Sequence, residues 1–355
     1  MDLLSLAMAV TLTAPAQLPP TAPNAPVGIG STGYGGQVLA QPGVTQPTTA
    51  PMTALPTSPA SSPFYDQTTI PTLSSDSTTP ASTVRERRLF ESDHAFDNFI
   101  NPVSNPVLAK DPRSSTWARV LFINNNFPGS TPIGGGDAQI YAMQVNLAIT
   151  DRLTFIADKD GYGVFRTTNL KPSNGWLDLA AGFKYTLIRD VENQFLFTVG
   201  IMYEMPSGAA QVFQRTGEGI FTPFITYGKQ FADHWHFMGT HGYSFGVDPG
   251  ANSSFFYHSL HLDREINGWF YPLVEMNFFQ YTHGGNALPR AIGEGDGLLN
   301  LGTQGMNGRD LLTTAIGAKF KLSQNVMAGA AYEFPLSGYM GILNNRVTVD
   351  LVLRY

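Results

Sequence analysis

A set of charged side chains recurs at alternate positions inside otherwise apolar runs: Asp158, Asp160, Asp178, Lys184, Glu204, Asp263, Glu275, Lys319, Lys321, Glu333, Asp350 and Arg354. Alternate side chains of a β-strand leave opposite faces, so these charges share one face and apolar residues take the other. Charges of both signs on one enclosed face have two readings. They line a narrow polar path for small solutes, or they pair with one another and stiffen a filled interior. Neither needs a metal or a cofactor, and none is expected. One motif occurs twice, as Gly200-x-x-Tyr203-Glu204-Met205-Pro206 and Gly329-x-x-Tyr332-Glu333-Phe334-Pro335. Each copy sets a carboxylate beside a proline that ends strand pairing. The pair could hold a cation or a polar group from opposite walls, or it is a repeated strand-end device.

The histidines and the acidic loop give weaker signals. His236 and His241 have opposite parity within one strand, as do His258 and His261, so neither pair can share a face on its own strand. A paired metal site on one strand is therefore not expected. Glu294-Gly295-Asp296-Gly297 offers carboxylates but lacks the ligand count of a calcium loop.

These charges need strands to position them. From Trp117 onward the chain divides into about twelve alternating segments: Trp117–Phe127, 137–150, 153–165, 175–189, 194–206, 219–231, 235–247, 253–265, 269–281, 310–322, 326–336 and 346–355. Each is near the roughly 9–11 residues that a tilted membrane-spanning strand needs. Short turns alternate with long loops rich in Gly, Pro or Asn, the pattern of an up-and-down barrel with one tight rim and one open rim. Apolar parity runs through Tyr141, Met143, Val145 and Leu147, and again through Leu177, Leu179, Phe183 and Tyr185. Trp235, Trp269 and Tyr355 fall near the short-turn end, and Tyr203, Tyr332 and Tyr243 near the other, as two interfacial girdles would. The last segment alternates Val347, Val349, Leu351, Leu353 and Tyr355 with Arg346, Thr348, Asp350, Val352 and Arg354. It should close the sheet against the first strand near Arg119 and Ile123, removing both edges.

Composition agrees. Charged residues are 14% of the 355, aromatics 12%, and glycines number 36. Mean hydropathy is -0.07, too low for helical spans but ordinary for alternating strands. A net charge of -6 gives no basic footprint for nucleic acid. The absence of cysteine excludes thiolate sites and disulfides.

Ahead of the strands, residues 1–16 carry a short apolar run and Ala14-Pro15-Ala16, the pattern of a secretory signal, although Asp2 stands where a positive residue is usual. Residues 17–84 are Pro, Ala, Thr, Ser and Gly with almost no charge, the composition of a disordered linker. Within 85–116, Ser92 can cap a short helix that ends at Phe99, with Phe96, Phe99 and Ile100 at helical spacing. This segment either tucks into the barrel as a plug or packs against its base.

The closing pattern up to Tyr355 resembles the C-terminal insertion signal of Gram-negative outer-membrane barrels. Residues 91–355 resemble the barrels named for the phenol meta-cleavage pathway, on Asp158-Lys159-Asp160-Gly161-Tyr162-Gly163, the Tyr-Glu-x-Pro strand ends and the final Leu-Val-Leu-Arg-Tyr. The resemblance implies an outer-membrane channel passing small, hydrophobic or aromatic solutes. It places the N-terminal tail in the periplasm, with membrane lipid and the barrel-assembly machinery as partners. The alternatives are a non-conducting structural barrel plugged by its own segment, and a hydrolase. Tyr281-Thr282-His283-Gly284-Gly285-Asn286 resembles the His-x-Ser-Asn-Gly motif of the outer-membrane phospholipase. Gly285 stands where the nucleophilic serine should be, so an enzyme is not expected.

Overall fold

The computed structural model describes residue 88 and residues 90–288, 292–337 and 341–355. The expected signal segment and linker lie outside the described residues.

Twelve strands close into one antiparallel barrel: β1 (Trp117–Phe127), β2 (Gly136–Ala148), β3 (Leu153–Thr167), β5 (Leu179–Asp190), β6 (Phe195–Met205), β7 (Ile220–Phe231), β8 (Trp235–Gly246), β9 (Ser254–Arg264), β10 (Phe270–His283), β11 (Asp310–Lys321), β12 (Val326–Pro335) and β13 (Asn345–Arg354). The short β4 (Ser173–Trp176) adds to the upper part of β3. Neighbours in sequence are neighbours in the sheet. The seam is β1 against β13, with Arg119 opposite Val352 and Ile123 opposite Thr348. The terminal strand thus removes the edge, as its alternation requires.

The outward face is apolar. Val120, Tyr141, Met143, Phe183, Ile201, Val274, Ile316, Val349, Leu351 and Leu353 are all exposed large hydrophobics. A contiguous apolar wall of this extent is what a membrane covers. Trp269, Tyr332 and Tyr355 are also exposed, whereas Trp235 carries Arg264 over its ring at 5.4 Å. Tyr203 lies against Phe221 and donates to the Glu218 carbonyl at 2.9 Å.

Two sequence expectations are corrected here. The segment expected as one strand over 175–189 is broken, and Leu177 turns inward into a core cluster instead of outward. A β-bulge in β3 shifts the β2 register between Met143 and Val145. The extra residue flips parity, so Asp158 and Lys159 are both buried while Asp160 pairs with outward Met143. Asp160 therefore leaves the interior set and Lys159 joins it.

The expected helix from Ser92 to Phe99 is instead a single 3-10 turn, His94–Phe96, capped by the Asp93 carboxylate. Ser92 does not cap it, because its hydroxyl accepts the Thr116 amide at 2.9 Å. The chain from 92 to 116 then runs through the barrel interior and back. Phe96 and Phe99 pack on Leu196 and Met238 near the short-turn end. Ile100 and Val103 join the cluster of Trp117, Tyr271 and Leu273. The turn at Asn105, with φ of 47°, lets Leu108 reach the cluster of Phe224, Phe255 and Tyr257. From the other end, residues 292–309 fold inward, burying Leu298, Leu299 and Leu301 against Phe127, Phe165 and Leu177. The two meet at Gly297, whose φ is 86° and where a Cβ would stand 2.8 Å from Asn105 Oδ1 and 3.0 Å from Leu108 Cδ1. Only glycine allows both the backbone conformation and the approach.

Candidate functional site

Almost every interior charge has a partner, and many partners lie on the inner segment. At the short-turn end Arg189 donates twice to Asp93, at 2.7 Å each, and Arg354 pairs with Asp97. Burial pushes the Asp97 carboxyl up, but the Arg354 charge and the His94 hydrogen bond outweigh it and hold it below its ordinary value.

At mid-height, Glu275 clamps the backbone of the segment, accepting from the Val103 amide at 2.8 Å and the Ser104 amide at 2.6 Å. Behind it runs a buried relay. His261 Nδ1 meets Glu275 at 2.6 Å, His261 Nε2 meets Asp263 at 3.0 Å, and Asp263 meets His236 Nδ1 at 2.8 Å. Phe99 lies 5.0 Å from the His236 ring, so the relay touches the segment at both ends. Lys110 pairs with Asp158 at 2.5 Å. Asp350 takes Arg119 at 2.6 Å and Lys319 at 2.8 Å, and Arg119 also donates to the Pro102 carbonyl at 2.8 Å. Lys319 can reach across β12 because Gly329 stands between, where a Cβ would lie 2.6 Å from both Lys319 Cγ and Asp350 Oδ1.

Arg113 is fully buried. It pairs with Asp111 at 2.8 Å and donates to the Phe99 carbonyl at 2.6 Å, tying the outgoing and returning arms together. Lys184 donates to the Asp111 carbonyl. Burial raises the Asp111 carboxyl, but the Arg113 charge and hydrogen bonds overcome this and hold it far below the usual range. An acid with a depressed folded value stabilises above its unfolded value and loses that contribution as pH falls. Arg113→Leu strands a buried carboxylate and is expected to cost about 3–5 kcal/mol. Limited proteolysis should show it as cleavage within 92–116, with the barrel intact.

At the long-loop end Glu294 accepts from Ser253 Oγ at 2.5 Å, the Leu301 amide at 2.8 Å and the Thr303 amide at 2.7 Å. Asp296 accepts from Tyr281 at 3.2 Å. Burial raises both carboxyls, Asp296 well above its ordinary 3.8. The acidic run is a loop anchor in this structure.

The remaining sequence-marked residues divide between loop anchors and wall pairs. Asp178 accepts from the Gly208 amide at 2.7 Å and the Arg215 amide, tethering an outer loop. Glu204 pairs with Lys159. Glu333 takes Arg346 at 3.2 Å, Thr313 at 2.5 Å and Asn277 at 3.0 Å. The repeated Tyr-Glu motif thus gives two carboxylates, each engaged by its own wall. Lys321 is half-buried at the short-turn end of β11. A cavity of about 40 Å³ remains between Lys110, Lys159, Glu204, Ser244 and Leu299, room for water and little else. His283 contacts the Pro249 carbonyl at 3.0 Å, and Ser253 bonds Glu294 and the Gly285 amide. The chemistry of a nucleophile beside a base is not assembled there.

The sequence reading missed Arg119, Lys159, His236 and His261 as interior groups, and Lys110, Asp111 and Arg113 as their counterparts. Reading each strand alone hid them. The register between strands pairs His236 with Asp263 and His261 with Glu275.

No family model matches the chain, and no curated protein sequence matches it. An outer-membrane channel from Pseudomonas putida F1 superposes with a TM-score of 0.52 at 11% identity, over 72% of this chain and 100% of that one. NanC porin gives 0.42 at 10% identity over 68% of this chain and 99% of its own, and KdgM porin 0.40 at 9% over 67% and 99%. What this chain shares with the first of them is the fold.

Proposed function

We propose that the chain is an outer-membrane channel of a Gram-negative-type bacterium, passing small solutes passively and held shut in the state described. The observation that carries this is a closed wall, apolar outside and charged inside, around a segment held by polar contacts at many points and by small separate apolar clusters. Such contacts can be exchanged for water and solute when the segment leaves. The resemblance to the meta-cleavage barrels favours hydrophobic or aromatic solutes. On this reading the N-terminal tail is periplasmic, Tyr355 sits at the membrane interface, and the assembly machinery reads the closing strand. A second reading, a structural barrel that never conducts, draws on the same filled interior.

Swelling of proteoliposomes separates them. Vesicles carrying the full chain, or the chain lacking residues 88–113, are diluted into isotonic small neutral or aromatic solutes. Swelling above protein-free vesicles in either case is expected. Its absence in both would leave only the structural barrel.

A further inference from the structure

Two histidines meet on the outside of the barrel. His241 of β8 and His258 of β9 are register partners, with their Nδ1 atoms 2.6 Å apart. The Tyr227 hydroxyl of β7 lies 3.2 Å from His241 Nε2. Phe278 of β10 stacks on the His258 ring, with centroids 6.0 Å apart. All four residues alternate with inward-facing neighbours, so they lie on the outward wall, beside exposed apolar side chains such as Phe256 and Met276. They sit near the middle of their strands, away from both rims.

A neutral imidazole has one N–H and one bare nitrogen. If His241 donates across the Nδ1 contact, His258 must carry its proton on Nε2 and is left with an unused donor. If His258 donates instead, its Nε2 is left as an unused acceptor. Tyr227 completes the other end in either case, donating in one tautomer and accepting in the other. The relay therefore always leaves one nitrogen over, His258 Nε2, on a half-buried residue of the outward face. Hydrocarbon can satisfy neither form, and a lipid headgroup would meet the wall only at its rims.

We propose that the face of β7–β10 is where a second copy of this chain packs, with His258 close to a two-fold axis. In a two-fold contact one patch meets itself. One copy in the donor tautomer and the other in the acceptor tautomer join Nε2 to Nε2, so each supplies what the other lacks. Aromatic Phe278 and Phe256 then cover the contact. The inference rests on the barrel being membrane-embedded. Heat-modifiable gel mobility reads the barrel separately, so failure of one is distinguishable from failure of the other.

The chain has no cysteine, so Leu260→Cys places a unique thiol on the outward face two residues from His258. Oxidation of membranes carrying the otherwise full chain is expected to give a disulfide-linked pair of chains. Val120→Cys, outward on the opposite wall, is expected to stay single. Adding His258→Leu to Leu260→Cys should deplete the linked form severalfold. Three results would overturn the proposal: no linked form while the thiol introduced by Leu260→Cys reacts freely with maleimide, equal linking from both positions, or an adduct of another mass that marks a foreign partner. Unchanged linking with His258→Leu would also overturn it. Sedimentation equilibrium of the unaltered chain in detergent is a second reading that needs no variant to fold: a dimer supports the contact, and a monomer at all concentrations rejects it.

Discussion

Deleting residues 88–113 is expected to turn a mostly silent barrel into one with long-lived open levels in planar bilayers. Twelve strands spaced about 4.7 Å apart and tilted about 40° close at a backbone radius of roughly 12 Å. Inward side chains fill roughly half of that radius, which leaves a path several ångströms wide once the segment is gone. The charges left behind set its character. Asp158 loses Lys110 and Glu275 loses two amide donors, while Lys184, Arg189 and Arg354 lose Asp111, Asp93 and Asp97, so the opened path carries freed charges of both signs and its ion selectivity should be weak. Glu275→Ala is the graded version. It leaves two buried amides orphaned and the His261–Asp263 relay without its end, a loss of about 3–5 kcal/mol by analogy with a broken buried pair. At about 1.4 kcal/mol per tenfold, the open fraction should rise roughly a hundredfold or more. That falls short of the roughly 5.5 kcal/mol needed to invert a strongly closed equilibrium. Open probability should therefore rank deletion above Glu275→Ala above the unaltered chain. If Glu275→Ala matches the unaltered chain while the deletion opens, the segment is held by its ends, through Asp93 and Arg113, and not by the mid-height clamp.

The barrel was legible because its signal is local. Parity within each strand separates Val349, Leu351 and Leu353 from Asp350 and Arg354, and the register at the β1–β13 seam follows from closing the sheet. What the sequence could not show were features that depend on two strands at once. One extra residue in β3 reversed Asp160 and admitted Lys159, and alternation within β3 carries no mark of that bulge. The histidines failed for a related reason. Within one strand His236 and His241 oppose each other, yet across strands His241 faces His258 and His236 faces Asp263. The inner segment was half legible. Phe96, Phe99 and Ile100 are apolar enough to require burial, and each is fully buried. Their spacing suggested a helix, but Pro102 disfavours the helical conformation at Asn101, and Asn105, with φ of 47°, turns the chain before Pro106. The interior walls, supplying Glu275, Thr198, Thr226 and Thr240 as hydrogen-bond partners, satisfy a chain that makes few bonds to itself.

Raising the pH is expected to loosen the long-loop end, and the chain lacking residues 88–113 isolates the effect, because the inward-folded residues 292–309 are then the main remaining barrier. Burial raises Glu294 and Asp296, and for Asp296 the nearby charges of Glu294 and Glu333 add to burial while Arg346 opposes them. An acid whose docked value lies above its free value binds more protons docked than free. Its contribution to docking is complete below the free value, ordinarily 3.8 for Asp and 4.5 for Glu, and fades as pH rises through the raised values. Conductance should therefore climb as pH rises above the ordinary carboxylate range of about 4. In the full chain Asp111 works with the opposite sign, since its depressed value makes the inner segment weakest in acid. The full chain should therefore be most closed between the two ranges. Asp296→Asn mimics the protonated docked form, keeps an acceptor for Tyr281, and should flatten the rise in the deleted chain while leaving its acid-side conductance unchanged. A profile that falls with pH in the deleted chain, or one that Asp296→Asn does not alter, would mean that the loop is held by Leu298, Leu299 and Leu301 packing alone, which does not titrate.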